Sequence, residues 1–157
     1  MITPVIASEF SKYFKVIFAD SPELKEEVYR IRYEVYCREL RYEDADEFAD
    51  GLEKDAYDTR SRHCLLQHRS SGVYAGCIRL VLPDLDNPNA GLPFEQTCTG
   101  ELHPEVVKPI FASRHLLGEY SRLAVPERFR RRKGEKNNPL GSLEMPVPKP
   151  NELRQFM

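Results

Sequence analysis

A single arginine, Arg79, stands inside the apolar run Cys77-Ile78-Arg79-Leu80-Val81-Leu82, and that one charge restricts how the chain can fold. Residues 64–69, the turn Ser70-Ser71-Gly72 and residues 73–82 read as a β-hairpin closed by Pro83, so Arg79 belongs to a strand with apolar neighbours. Burying a guanidinium there is costly unless a carboxylate meets it. The acidic stretch just before the hairpin, residues 43–58 (EDADEFADGLEKDAYD), offers Asp55 and Asp58 as the partner type. Taken singly, each of these charges also fits a solvated position on an exposed strand face.

The rest of the chain supplies a scaffold for such a pairing. Residues 13–19 (YFKVIFA) read as a strand, and Ser21 and Pro22 suit the N-cap and first position of a helix. Leu24, Val28, Ile31 and Val35 then recur at helical spacing, with Glu23, Glu26 and Glu27 at the start and Arg38 and Arg41 at the end, as the helix dipole prefers. The acidic stretch reads as an ordered loop or broken helix, and residues 84–104 as a long irregular connection, with Pro109 limiting any helix after it. Residues 119–125 (EYSRLAV) form another strand. A basic cluster follows Pro126, namely Arg128, Arg130, Arg131, Arg132 and Lys133, and then a stretch without apolar periodicity. The expectation is one α/β (α+β) domain over residues 1–133 and a Pro/Gly-rich disordered tail over residues 134–157.

Several function classes lose support on composition and spacing. A net charge of -2 gives no overall basic field, and a mean hydropathy of -0.55 comes with no apolar run long enough for a bilayer. The first residues lack the basic, apolar and small-residue regions of a signal peptide, so a cytoplasmic location is expected. Cys37, Cys64, Cys77 and Cys98 lie far apart without a Cys-x-x-Cys pair, which suggests reduced, mostly buried thiols. His63 and His68 flank a strand at an odd separation that points them to opposite faces, against a shared metal ion. Residues 44–51 imitate a calcium loop, but Phe48 and Ala49 break the ligand alternation. No nucleophile elbow, Walker loop or dinucleotide fingerprint occurs.

What remains is a set of charges beside predicted core elements, and its motifs carry a resemblance. Arg32-Tyr33-Glu34-Val35-Tyr36 on the helix, Asp55-Ala56-Tyr57-Asp58 in the loop, the Arg79 strand and Glu119-Tyr120-Ser121-Arg122 occur in that order. Together they resemble the acyl-homoserine-lactone synthase and N-acyl amino acid synthase branch of the GNAT acyltransferases. Within it, they are most similar to the acyltransferases associated with the PEP-CTERM/exosortase system, over about residues 28–133.

The resemblance implies a GNAT-like mixed sheet with flanking helices and an N-acyltransferase activity. The donor would be an acyl carrier protein thioester, or acyl-CoA, entering as substrate with no bound cofactor, and the acceptor the amine of a small metabolite such as an amino acid. Arg32, Asp55, Asp58, Arg79, Glu119 and Arg122 fall where that branch keeps an ionic network around the acceptor. Tyr36 and Tyr42 fall at its aromatic acceptor-side positions, where the lactone synthases usually carry Phe and Trp, which disfavours S-adenosylmethionine as acceptor. Glu119 is the candidate base, with oxyanion donors expected from the backbone of residues 121–123. Glu119 and Arg122 are an odd number of positions apart, so they share a face only across a β-bulge. The basic run Arg128, Arg130, Arg131, Arg132 and Lys133 could meet the carrier protein, or equally be a solvated face. The resemblance also implies further strands after residue 125, where the sequence runs instead into residues 139–157. A sheet cut off before its C-terminal strands, with an edge open to homodimerisation, is therefore expected. Two alternatives stand beside this reading: a non-catalytic carrier-binding or acyl-binding fragment, and a nucleic-acid binder using the basic cluster.

Overall fold

The computed structural model describes residues 10–87, 89–98, 100 and 103–130. Four strands, β1 (Phe14–Phe18), β2 (Ser61–His68), β3 (Tyr74–Val81) and β4 (Glu119–Ala124), form one sheet in the order β1-β2-β3-β4, and each pairing is antiparallel. Helix α1 (Pro22–Arg32) packs on one face. Ser21 caps it as its sequence position suggests, with Oγ accepting from the Leu24 N–H at 3.3 Å.

Side-chain alternation divides each strand between two faces. Ile17, Leu65, Cys77 and Ala124 lie in register across all four strands, and this row meets Val28, Ile31 and Val35 to form the core. The next row on the same face is His63, Arg79 and Ser121, and the one after it Ser61, Val81 and Glu119. The sheet thus passes from apolar core to charged site in a single step along the strands. The other face carries Val16, Phe18, Tyr120 and Leu123, all exposed.

Helical spacing continues only to Arg32. From Tyr33 to Glu39 the chain widens into a π-helix, and the Tyr36 carbonyl then accepts from the N–H groups of both Tyr42, at 2.8 Å, and Glu43, at 3.3 Å. Arg41 takes a left-handed backbone, φ 55°, which turns the chain so that Glu43 points back towards the sheet. The acidic stretch continues as two 3₁₀ turns, Ala45–Glu47 and Ala56–Arg60.

The connection between β3 and β4 is more ordered than its composition suggests. It contains helix α2 (Pro93–Thr97) and helix α3 (Pro104–Phe111), each starting with a proline whose missing N–H costs nothing at that position. Pro109 lies inside α3 rather than limiting it, since it removes one ladder bond while Ala112 still donates to the Lys108 carbonyl at 3.0 Å.

By contacts the chain divides into Met1–Glu127, the unit just described, and Arg128–Met157. Of the latter, residues 128–130 are described; they complete a helical turn, Glu127–Arg130, in which Arg128 lies over the Phe129 ring. The candidate carrier-binding residues Arg131, Arg132 and Lys133, and the tail 134–157, lie outside the described residues. No helix among the described residues is long and apolar enough to cross a membrane.

Gly76 marks a close approach of β3 to the end of β4. A Cβ there would meet the Ala124 carbonyl oxygen at 2.8 Å, and backbone cannot yield as a side chain does. Gly76→Ala is expected to destabilise the chain by about 1–3 kcal/mol, read as a lower midpoint in urea denaturation.

Candidate functional site

The sheet face beside the core gathers the predicted ionic residues from four separate segments. Arg32, at the last turn of α1, is wholly buried; it pairs with Glu53 through Nε and donates from Nη1 to Asp58 Oδ1 at 2.7 Å. Arg79 reaches the same Asp58 oxygen from β3 at 3.0 Å and Asp55 Oδ1 at 2.6 Å, and its Nε donates to Ser121 Oγ at 3.1 Å. The cost of burying Arg79 is thus met by the two acids proposed for it, with a strand hydroxyl added.

Asp58 is the centre of the arrangement. Its Oδ1 also accepts from His63 Nε2 at 2.9 Å, and its Oδ2 accepts from the Asp55 N–H at 2.8 Å. Asp55 in turn caps the 3₁₀ turn at the Tyr57 N–H, a reciprocal capping box that fixes the spacing of the two acids. Burial by itself would raise the Asp58 pKa, but the bonds from His63 and Arg32 and the Arg32 charge outweigh it and hold the carboxyl well below the ordinary carboxylate range.

Arg122 completes the network because β4 carries a bulge. Its pairing with β3 shifts between Cys77, opposite Ala124, and Arg79, opposite Ser121, so one extra residue of β4 is accommodated there. Arg122 has φ 52°, a left-handed backbone in a strand, and its side chain lands on the same face as those of Glu119 and Ser121. Its guanidinium meets Glu43 at 2.9 Å and Asp55 at 3.6 Å, and lies 3.3 Å from Glu53 without hydrogen-bond geometry. Tyr36 lies beneath it, ring centroid 5.4 Å from Cζ, and donates its hydroxyl to the Leu123 carbonyl at 2.8 Å.

In front of the network is a cleft of about 480 Å³. Asp55, Arg79, Glu119, Ser121 and Arg122 line one side, and residues of α2, among them Phe94, line the other, followed by Cys98. Glu119 Oε2 accepts from the Phe94 N–H at 2.9 Å, and among the described residues Glu119 has no ion-pair partner. Arg32, Asp58 and Tyr36 do not line the cleft and act behind it, as support for the residues that do. Tyr42 is 73% exposed and also lies outside the lining.

Reading the sequence alone misses Glu53, which is 1% exposed and serves both Arg32 and Arg122. Nothing in an acidic run distinguishes it from its exposed neighbours. His63, which the sequence weighs only against a metal site, serves Asp58. The Ser121 hydroxyl is missed as well, although its place two residues from Glu119 puts both on one strand face. The buried thiols follow expectation at Cys37 and Cys77, the latter pushed up to about 12 by desolvation, and Cys64 and Cys98 are half-buried.

The low-lying Asp58 pKa fixes an acid limb of stability. A pKa below the unfolded value contributes stability that is present above about pH 4 and lost as the pH falls through the native value. Denaturation midpoints are expected to be flat down to about pH 4 and to decline below it. Asp58→Asn, which leaves Arg32 and Arg79 short of a buried partner, is expected to cost about 3–5 kcal/mol near neutrality and to flatten that acid limb.

Compared with known protein families, residues 31–137 match the family described as Acetyltransferase (GNAT) domain. No curated protein and no solved structure matches the chain.

Proposed function

Because the chain belongs to the GNAT acetyltransferase family, an N-acyltransferase class, we propose that its cleft accepts the amine of a small metabolite and transfers to it an acyl group from a carrier-protein thioester. The observation that carries this reading is the balance of guanidiniums and carboxylates in the cleft and the network behind it. Three guanidiniums, of Arg32, Arg79 and Arg122, are shared among four carboxylates, of Glu43, Glu53, Asp55 and Asp58, and Glu119 adds a fifth that pairs with no arginine among the described residues. A site with surplus negative charge in a partly desolvated cleft favours a cationic ligand, and a small amine is protonated near neutrality.

The chemistry follows from this placement. Glu119, on the cleft wall, takes a proton from the bound ammonium directly or through one water. The freed nitrogen attacks the thioester carbonyl carbon, forming a C–N bond, and the carbonyl oxygen becomes an oxyanion. Backbone N–H groups of the bulged segment, residues 121–123, are the donors this reading assigns to that oxyanion. The intermediate then collapses, the C–S bond breaks, and the thiolate leaves to be protonated while the nitrogen loses its remaining extra proton. Arg79 and Arg122 hold the carboxylates in place throughout.

An amino acid is the acceptor class favoured here, and the acyl-homoserine-lactone synthase and PEP-CTERM-associated branch is the relationship the four ordered motifs support. The basic run Arg128, Arg130, Arg131, Arg132 and Lys133 would meet the acidic carrier. A carrier-binding protein without turnover is the second reading, favoured by the burial of Arg32 and Asp58 behind the cleft.

The test is to mix the full chain with acylated carrier protein or acyl-CoA and a panel of amines, following thiol release and the mass of the N-acyl product. Turnover with acyl carrier, slowed at least about 100-fold in Glu119→Gln with carrier binding intact, is the expected outcome. Carrier binding with no product from any amine would favour the second reading.

A further inference from the structure

The far wall of the cleft is held in place by a pair of residues that do not touch the cleft themselves. Helix α2 is only five residues long and lies within the long connection between β3 and β4, a length at which a helix has little stability of its own. Glu95, on its first turn, accepts from the Leu92 N–H through Oε1 at 2.8 Å, closing the helix N-terminus. The same carboxylate receives a two-pronged bond from Arg114, Nη1 to Oε1 at 2.7 Å and Nη2 to Oε2 at 2.6 Å. Arg114 comes from the 3₁₀ turn that leads into β4, nineteen residues further on.

The guanidinium of Arg114 also stacks on the Phe111 ring at 4.2 Å, and Phe111 lies 6.2 Å from Phe94 of α2. Arg114 therefore ties α2 to the segment that enters β4, through a bidentate ion pair and through an aromatic contact. The Glu95 carboxyl is held below its ordinary range by Arg114, and the pair is three-quarters or more buried. On the cleft side of the helix, the Phe94 N–H is the group that holds Glu119 Oε2.

We propose that Arg114 is a positioning residue: its clamp on Glu95 sets the position of the α2 wall, and with it the width of the cleft and the orientation of Glu119. The catalytic consequence rests on the reading of the cleft as the acceptor site; the structural one does not. Loosening the clamp would let α2 swing from the strand while the sheet and its ionic network stay in place.

Cys98, which lines the cleft at the end of that wall, is a built-in reporter, and Cys64 on the opposite face of the sheet is the control. In the full chain without any substrate, alkylation by iodoacetamide, located by peptide mass spectrometry, is expected to run about tenfold faster at Cys98 in Arg114→Ala, with Cys64 unchanged. Arg114→Lys, which keeps the charge but loses the fork, is expected to fall between wild type and alanine. With turnover established, the acceptor KM should rise more in Arg114→Ala than kcat falls, and lysine should restore part of it. Cys98 reacting at the wild-type rate in both variants would overturn the clamp, as would Cys98 and Cys64 accelerating together, which signals general loosening. A chain that turns over no amine would sink the acceptor reading yet leave the Cys98 result to decide the clamp.

Discussion

One carboxylate oxygen, Asp58 Oδ1, receives Arg32 from the helix, Arg79 from the central strand and His63 from its neighbour, and the placement of the other site residues depends on that convergence. Two buried guanidiniums could not stay on the core-facing side of the sheet without it. A network of this kind is a poor source of net stability, because desolvating the ions offsets most of their attraction. What it supplies is orientation: with both oxygens of Asp58 engaged, the capping box sets Asp55, and Asp55 is the acid that reaches the cleft.

The bulge in β4 is the second constraint, and it resolves a conflict in the strand's own alternation. Glu119 and Ser121 share a face by period two, whereas Arg122 belongs to the other. One additional residue and a left-handed backbone at Arg122 bring the third group to the same side. The π-helical segment beneath it meets that distortion through its own contacts. Tyr36 bonds the Leu123 carbonyl and presents its ring face to the Arg122 guanidinium, and the turn at Arg41 returns Glu43 to the same guanidinium.

How much of this could be read beforehand follows from which interactions are local. The core positions Val28, Ile31 and Val35 lie on one stripe because helical period and burial are properties of a short window. The hairpin and the need of Arg79 for an acid were legible for the same reason, since an apolar strand around a charge poses its own problem. Glu53 was not, because its selection from the acidic run depends on where Arg32 and Arg122 arrive from elsewhere in the chain. The order in the β3–β4 connection was hidden for a related reason: Pro, Asn and Gly composition reports loop preference, while Glu95 and Arg114 become partners only when the excursion closes on itself.

The two walls of the cleft therefore differ in how they are held. The strand wall rests on buried ions with several partners each, so the loss of one contact leaves others to keep Arg79 and Asp55 in place. The α2 wall depends on one fork between Glu95 and Arg114, the Phe111 ring set between Arg114 and Phe94, and the two bonds that Arg60 donates to the Leu82 and Gly91 carbonyls. Local opening follows the sparser set of contacts, so any widening of the cleft to admit or release a ligand is carried by α2 and not by the sheet. Glu119 bridges the two, with its backbone in the rigid wall and its carboxylate tied to the Phe94 N–H of the other. A proton-accepting group placed at that junction is set by both walls at once, so displacement of α2 frees the carboxylate oxygen that Phe94 holds while the strand keeps its backbone fixed.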